Sequence, residues 1–282
     1  MAIKMCYVGM ERKYQLPVEY AVIGNVTRDV IVTETEDIER IGGSTYFVSK
    51  TLLDLGNNVR IHTNADEIPQ ILLGKGVDRT GLNSTTVTVT INEVRNKAQV
   101  NYPGEKIIFS QLPPEVFTVD CTVLAPTFGE ISGDDVKRIR EAQDQTVVAD
   151  IQGFMRVFDP KTHGASKKPT DIEIFRGFDI LKMNQGEVDL QFPGASFDQA
   201  ADELQRLGIG VSVFTLGRDG VIVYADQKYE IATVPVTSRH TVGAGDTFFA
   251  SFLNTYVKNK DVLSAGKNAT DYTVRYLREE CS

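Results

Sequence analysis

A glycine-rich turn that leads directly into an apolar helical pattern is the part of this sequence best suited to chemistry. Gly243 and Gly245 precede Asp246, and Phe248 and Phe252 then begin an apolar repeat with a spacing of four. Such a helix start presents unpaired backbone N–H groups and a positive dipole end, and glycines let an anion approach them. A carboxylate here suits a base that deprotonates a nucleophile attacking a phosphate, although the segment also fits an ordinary acidic helix start.

Polar side chains also occur where predicted strands end. Short apolar runs predict buried strands over residues 20–25, 122–125, 146–150, 180–183 and 211–215. The polar residues near the ends of predicted strands are Asp29, Asp150, Asn184 and Thr215. Helical patterns separate most of these runs, which favours a mostly parallel sheet with helices on both faces. Ligands bind outside the carboxyl ends of strands in such sheets, so we expect these side chains to converge on one site.

The remaining patterns predict helices, one hairpin and a flap. Helices are predicted over residues 44–55, 68–73, 134–143, 197–207 and 265–279, and a hairpin over 220–232. A further short strand is predicted over residues 30–33. Val and Ile alternate with Thr over residues 85–92, and residues 98–102 can pair with them as half-exposed strands. These strands predict a small flap over the site.

Composition restricts the classes of protein that this chain can belong to. Its 282 residues, 41% of them hydrophobic and 24% charged, predict a globular protein with one main domain. A net charge of −8 argues against nucleic-acid and anionic-membrane partners. The distant cysteines Cys6, Cys121 and Cys281 favour a reducing cytoplasm. We expect neither a membrane span nor a signal peptide, and residues 1–19 form a leader to which we assign no role.

Several nucleotide and hydrolase signatures are absent. The chain has no G-x-x-x-x-G-K-[ST] loop, no G-x-G-x-x-G after its first strand and no G-x-S-x-G turn. His62, His163 and His240 do not show the spacing of metal ligands. Phosphoryl transfer at the glycine-built helix start is therefore the leading hypothesis.

Three motifs then resemble one family. Gly243-Ala-Gly-Asp246, followed by Thr-Phe and an apolar helix, resembles the second signature of the ribokinase-like (PfkB) carbohydrate and nucleoside kinases. Asn184-Gln-Gly-Glu187 resembles the family's N-x-x-E motif, and Thr215-Leu-Gly-Arg-Asp-Gly220 resembles its nucleotide loop. The motifs occur in the family's order, and the resemblance covers nearly the whole chain.

The N-terminal part of the chain extends this resemblance. Asp29 is similar to the family's substrate-binding aspartate, and Gly42 and Gly43 are similar to its diglycine hinge. The resemblance implies a three-layer α/β fold over residues 20–282, with a mostly parallel central sheet and a small reduced β lid. That lid is expected from about 30–41 and 85–102, because only 12 residues separate Asp29 from Gly42.

The resemblance also implies roles for individual residues. Asp246 would take the proton of a substrate hydroxyl, and the N–H groups of Gly243, Ala244 and Gly245 would form an anion hole. The nucleotide-binding residues implied are Asn184, Thr215, Gly217, Gly220 and Asn268. Mg²⁺ would bridge the phosphates of ATP, with Asn184 and Glu187 acting through water.

The substrate is the least determined part of this interpretation. Residues 148–160 and the segment from Gly42 to Phe47 resemble myo-inositol kinases and related small archaeal kinases. Implied substrate-binding residues are Asp29, Gly42, Gly43, Gln152 and Arg156. Myo-inositol leads among small sugars and polyols, and a nucleoside kinase is the alternative, with Tyr46 or Phe47 as a platform for a base. A non-catalytic sensor is the distant alternative, and ADP or pyrophosphate are alternative donors.

Two positions depart from the sugar-kinase pattern. Phe47 stands where the family usually carries an asparagine that contacts the sugar. His240 stands where ribokinases carry an aspartate of a monovalent-cation site, which argues against activation by potassium. Because the lid often forms the dimer contact, a reduced lid is compatible with a monomer or a homodimer.

Overall fold

The computed structural model describes residues 16–33, 36–72, 76–81, 83–90, 97–236 and 241–279. Most of the predicted leader and of the connection between the two flap strands lies outside these ranges. Cys6, Cys281 and His240 also lie outside them, so the expectations about these residues stay predictions.

The strands form two sheets, and strands of one sheet alternate along the chain with strands of the other. In chain order they are β1 (Glu19–Ile23), β2 (Thr27–Val32), β3 (Asp37–Gly42), β4 (Asn58–Asn64), β5 (Val77–Gly81), β6 (Thr85–Thr90), β7 (Lys97–Tyr102), β8 (Cys121–Leu124), β9 (Thr146–Asp150), β10 (Arg156–Asp159), β11 (Gly164–Lys167), β12 (Ile180–Asn184), β13 (Val211–Thr215), β14 (Val221–Tyr224) and β15 (Lys228–Ile231). The main sheet has the order β15-β14-β13-β12-β9-β8-β1-β4-β5. Its strands are parallel except for β14 and β15, which form the predicted hairpin at one edge.

The helices cover both faces of this main sheet. They are α1 (Ser44–Asp54), α2 (Gly133–Glu141), α3 (Gln152–Met155), α4 (Gln185–Gln191), α5 (Phe197–Arg206), α6 (Ala244–Asn259) and α7 (Val262–Glu279). Short 3₁₀ helices cover Gln70–Leu72, Phe109–Gln111, Pro114–Thr118, Ile172–Gly177 and Gly217–Asp219. The predicted helix over residues 68–73 is only the first of these 3₁₀ turns, because so few residues cannot offset the cost of starting an α-helix.

Two apolar cores lie on opposite faces of the main sheet. On one face α1, α6 and α7 pack together, with Phe249 and Phe252 completely buried. On the other face α2 and α5 bury Ile139 and Leu204. The central strands are therefore buried on both sides, which explains why they are continuous apolar runs in the sequence. The predicted three-layer α/β fold is confirmed. Within the described ranges, no helix is both long and apolar enough to span a membrane.

The second sheet forms the lid and has the order β10-β11-β7-β6-β2-β3. Strands β2 and β6 pair in parallel, and the other neighbours are antiparallel. The two segments predicted for the lid are part of this sheet, but it extends further through β10 and β11. These two strands were not predicted, because they are only four residues long and are half-buried or exposed, which leaves no apolar run or clear alternation.

Candidate active site

A cavity of about 660 Å³ lies between the carboxyl ends of the main sheet and the lid. Asn184 and Thr215 reach it from the ends of β12 and β13, as the strand-end pattern predicted. Asp29 reaches it from β2 in the lid, and Asp150 lies behind Lys182 rather than in the wall. The start of α6 completes the wall.

The start of α6 presents backbone donors to this cavity. Gly243 has a left-handed backbone (φ +81°), and a Cβ placed on it would lie 2.5 Å from Phe47 Cδ1, so only glycine fits here. In the described chain, the N–H groups of Gly243, Gly245 and Asp246 have no backbone acceptor. Ala244 differs from its predicted role in the anion hole, because its N–H donates to Thr241 O at 3.2 Å within the turn.

Asp246 is buried at the centre of the cavity wall, with a side chain that is 8% exposed. Gln152 Nε2 donates to its Oδ1 at 3.0 Å. Burial raises the pKa of Asp246 to about 7, and the nearby Asp150 carboxylate adds to this effect, whereas Lys182, Ser44 and Arg156 oppose it. A carboxylate with a pKa near neutrality is suited to act as a general base.

Gln152 and Arg156 link the lid side of the cavity to Asp246. The Nε2 atom of Gln152 also donates to Ser44 Oγ at 2.7 Å, and Arg156 Nη2 donates to Gln152 Oε1 at 2.8 Å. The Arg156 guanidinium lies 5.5 Å from the centre of the Phe128 ring. Gln152 and Arg156, two of the predicted substrate-binding residues, both line the cavity, and Gln152 also holds Asp246 in place.

Asp29 and the diglycine form the lid end of the site. Burial raises the pKa of Asp29, and its Oδ1 accepts from Thr27 Oγ1 at 2.7 Å. Gly43 lines the cavity and precedes α1, whereas Gly42 does not line it. A Cβ on Gly42 would lie 2.1 Å from Asp29 Oδ2, so Gly42 makes room for the carboxylate instead of contacting a ligand.

Asn184 and Glu187 form a capping box at the start of α4. Asn184 Oδ1 accepts from Glu187 N at 3.0 Å, and Glu187 Oε2 accepts from Asn184 N at 2.9 Å. Lys167 Nζ donates to Glu187 Oε1 at 2.7 Å. Asn184 lines the cavity, whereas Glu187 is completely buried and does not.

This donor set bears on the predicted magnesium ion. No group of three or more His, Cys, Asp or Glu side chains is placed to hold a metal in the described chain. Both oxygens of Glu187 already accept hydrogen bonds. The residues therefore fit only a magnesium ion that would be held by the phosphates of a ligand and would meet Asn184 through water, with Glu187 holding Asn184 in the capping box.

The opposite end of the cavity has an apolar wall beside the predicted nucleotide loop. Thr215, Gly217 and Gly220 line the cavity there. The apolar lining residues of this end are Val234, Pro235, Val236, Val242, Val274 and Leu277. Asn268, which was also predicted to bind the nucleotide, lies elsewhere: its Nδ2 donates to Thr255 Oγ1 at 3.3 Å on the exposed side of the α6–α7 pair. Helical register places it away from Thr270 and Val274, which face the cavity.

Lys182 is a cavity residue that the sequence analysis missed. It lies inside β12, is buried, and its Nζ donates to Asp150 Oδ2 at 2.6 Å. Burial lowers the pKa of Lys182, but the carboxylates of Asp150, Glu187 and Asp246 outweigh burial and keep this pKa above its usual value. The available signal was a lysine within the apolar run 180–183, since lysine is almost never fully buried without a partner.

The fold and the site together define a class of protein. A buried carboxylate with a raised pKa lies beside N–H groups at a helix start that have no backbone acceptor among the described residues, in a cavity at the carboxyl edge of an α/β sheet. This arrangement is suited to the transfer of a phosphoryl group to a hydroxyl acceptor.

Comparison with known proteins identifies the family. The sequence profile of the pfkB family carbohydrate kinases matches residues 38–272, and the chain belongs to this family. It is also similar to a nucleoside kinase of Methanothermobacter thermautotrophicus, with 34% identity over 92 residues. That match covers 33% of this chain and spans only 29% of the length of the relative.

Solved structures share the fold over almost the whole chain. One is a pyrophosphate-dependent kinase of the ribokinase family complexed with a pyrophosphate analog and myo-inositol. The two structures superpose with a TM-score of 0.78 and 21% sequence identity, and the match covers 92% of this chain and 95% of that chain. Another is the ribokinase of Arabidopsis thaliana complexed with ribose and ATP, with a TM-score of 0.72, 16% identity, and 93% of each chain covered. At these identities the likeness establishes the ribokinase-like fold alone.

Proposed function

We propose that this kinase transfers the γ-phosphoryl group of ATP to a hydroxyl of a small polyol or sugar, with myo-inositol as the leading acceptor. One observation carries the proposal. Asp246, with its pKa raised to about 7, lies where the polar lid half of the cavity meets the apolar half beside the nucleotide loop. An acceptor and a donor bound in the two halves would meet at this carboxylate.

The chemistry follows from this placement. The acceptor oxygen attacks the terminal phosphorus as its proton passes to Asp246, the bond from phosphorus to the bridging oxygen breaks, and ADP leaves with that electron pair. The N–H groups of Gly243 and Gly245 stabilise charge on the transferred group. A positioned general base contributes about a hundred- to ten-thousand-fold to such a step. When bound to the donor phosphates, Mg²⁺ would neutralise part of their charge.

The acceptor end supports a molecule rich in hydroxyl groups. Asp29 offers a carboxylate, and Arg156 offers guanidinium N–H groups, so donors and acceptors of hydrogen bonds face the same space. Gln152 keeps Asp246 oriented towards that space. A cyclic polyol fits this mixture of charges, and the similar fold of a kinase complexed with myo-inositol adds support.

The donor end supports a nucleotide. Its apolar wall, which includes Val242, Val274 and Leu277, offers contact area to a planar base. Pyrophosphate has no group that would use this wall. It stays the alternative donor because the structurally similar myo-inositol complex is of a pyrophosphate-dependent kinase.

A nucleoside is the alternative acceptor. Phe47, Val87 and Phe128 bring apolar side chains to the lid half of the cavity, where they could contact a base. The partial match to an archaeal nucleoside kinase supports the same alternative.

A matrix of donors and acceptors tests the proposal. Purified protein is assayed for product with ATP, ADP or pyrophosphate against myo-inositol, ribose, fructose, adenosine and cytidine. We expect turnover with ATP and myo-inositol that chelation of Mg²⁺ abolishes and that potassium does not raise. Turnover only with adenosine or cytidine would establish the nucleoside alternative. ATP binding without turnover of any acceptor would favour a sensor and contradict the proposal.

A further inference from the structure

Lys182 is placed where neither the folding of β12 nor the predicted motifs require a charge. Its neighbours in the strand, Leu181 and Met183, are completely buried apolar residues. Lys182 lines the cavity and is buried against Asp150, at 2.6 Å. A buried ion pair at such a position is seldom favourable for stability alone, since well-packed apolar residues often do as well.

The ammonium group lies beside the anion-binding turn. A Cβ placed on Gly245 would lie 3.0 Å from Lys182 Nζ. Adding the bonds from that Cβ to the Cα and on to the backbone nitrogen, Nζ is at most about 6 Å from the Gly245 N atom. One oxygen that accepts from both groups at about 2.9 Å would span almost this separation. A phosphate oxygen at the start of α6 could therefore be bound by the N–H and the ammonium together.

The carboxylates around Lys182 make its ammonium group necessary for binding an anion at the start of α6. Asp150, Glu187 and Asp246 all place negative charge near Lys182. Three carboxylates would repel a phosphoryl group that approaches the start of α6. Lys182 offsets part of that charge, and Asp150 fixes its Nζ at the side of the helix start.

We propose that Lys182 is a further catalytic residue, whose ammonium group contacts the phosphoryl group at the start of α6 and stabilises its negative charge during transfer. Asp150 acts as its positioning residue. No bond to Lys182 forms or breaks in this role, and its proton stays in place. The inference rests on the proposed phosphoryl transfer and adds a contact to those of Asp246 and of the N–H groups at the start of α6.

Four variants distinguish this role from that of a simple counter-ion. They are Lys182→Met, Lys182→Arg, Asp150→Asn and the double variant Asp150→Asn with Lys182→Met, each assayed for kcat and KM with the best donor and acceptor of the wild-type protein. We expect Lys182→Met to lower kcat by about a hundred- to a thousandfold, the usual effect of removing one group that stabilises transition-state charge. Lys182→Arg should recover part of this loss, because it keeps the charge.

The double variant distinguishes a Lys182 that only neutralises Asp150 from a Lys182 that acts on the phosphoryl group. If Lys182 only neutralises Asp150, removing both charges leaves no unpaired carboxylate, and kcat returns to within about tenfold of the wild-type value. If Lys182 acts on the phosphoryl group, the double variant folds but keeps the low kcat of Lys182→Met. Recovery in the double variant would overturn the proposal. Thermal unfolding of each variant shows whether a lost activity is only lost folding.

A matched control and a second measurement keep the outcomes separate. Arg140→Met breaks a more exposed ion pair outside the cavity, with Asp179 at 2.9 Å, and should leave kcat unchanged. Wild-type turnover tests the proposed function by itself. Independently of any acceptor, wild-type protein should bind ADP more tightly with aluminium fluoride than alone, and the double variant should lose this gain. A gain retained in the double variant, or missing from the wild-type protein, would also overturn the proposal.

Discussion

Glu130 and Asp246 are two buried carboxylates near the same edge of the main sheet, and they are used in opposite ways. Glu130 is 2% exposed and accepts backbone N–H groups of Asn25, Thr127 and Phe128 at 2.7 to 2.8 Å. Asp246 accepts a side-chain hydrogen bond from Gln152 and faces the cavity. Glu130 ties together the loops that follow β1 and β8, whereas Asp246 keeps room for a reacting group.

The difference shows how to separate structural from functional buried charges in this fold. A carboxylate that accepts several backbone N–H groups has its desolvation offset, and its charge is committed to holding loops. A carboxylate that is buried without such compensation has its pKa raised, as for Asp246, and can exchange a proton near neutrality. Burial by itself does not distinguish the two cases; the partners do.

The largest expected effect is that of Asp246→Asn on turnover. The amide keeps the shape and can still accept from Gln152, but it cannot take a proton. We expect kcat to fall by about a hundred- to ten-thousand-fold, with normal folding, in steady-state assays with the best acceptor. Turnover close to that of the wild-type protein would show that Asp246 is not the base.

Glu130→Gln should have the opposite profile. The amide group of glutamine would place a donor against one of the three backbone N–H groups, which leaves a buried donor unsatisfied. We expect the free energy of unfolding to fall by about 1–3 kcal/mol in urea titrations. The kcat of the folded variant should stay within about threefold of the wild-type value. A large loss of kcat without a loss of stability would break the distinction between the two carboxylates.

The pH dependence sharpens the comparison further. Asp246 must be ionised to act as a base, and its pKa is raised to about 7. We therefore expect kcat/KM for the acceptor to fall about tenfold for each pH unit below about 7, and to level off above it. ADP binding measured over the same range controls for effects on the donor site. An inflection near pH 4, the ordinary range of an aspartate, would contradict the burial argument.

Asn268→Ala should have the smallest effect. This side chain donates a hydrogen bond to Thr255 outside the cavity and, unlike Glu130 and Asp246, is exposed. The KM for ATP should stay within about twofold of the wild-type value, because no ligand contact is removed. Thr215→Ala, at the cavity wall, is the matched variant and should raise this KM more. A larger effect at Asn268 would place the nucleotide base differently from the apolar wall described above.

Local patterns were sufficient for most of the fold. The apolar runs of β1, β8, β9, β12 and β13 mark strands that are covered on both faces, and helical periodicity marks α1, α2 and α5 to α7. Strands β10 and β11 were not predicted, since each has only four residues. They pair with each other as a hairpin, and β11 joins the lid through a strand that is distant in the chain, β7. Sequence periodicity contains no information about such pairing.

For the site as well, local patterns identified some residues, and the roles of others needed the tertiary structure. The glycine-rich helix start identified Gly243 and Asp246, and the polar residue at the end of a predicted strand identified Asn184, because these positions follow from local geometry. The roles of Gly42 and Ala244 needed the contacts, since one makes room for Asp29 and the other has its N–H bonded within the turn.

By itself the sequence determined the fold class, the family and the place of the glycine-rich turn at the start of α6, because short-range spacing sets secondary structure and helix starts. Only the tertiary structure decided which buried charges face a cavity. Lys182 and Glu130 show this most clearly. Both are single charged residues whose neighbours in the sequence give no sign of their roles. Only the groups folded against them distinguish a lysine beside the glycine-rich turn from a glutamate that holds loops together. Such contacts join residues up to about a hundred positions apart, which no local pattern records.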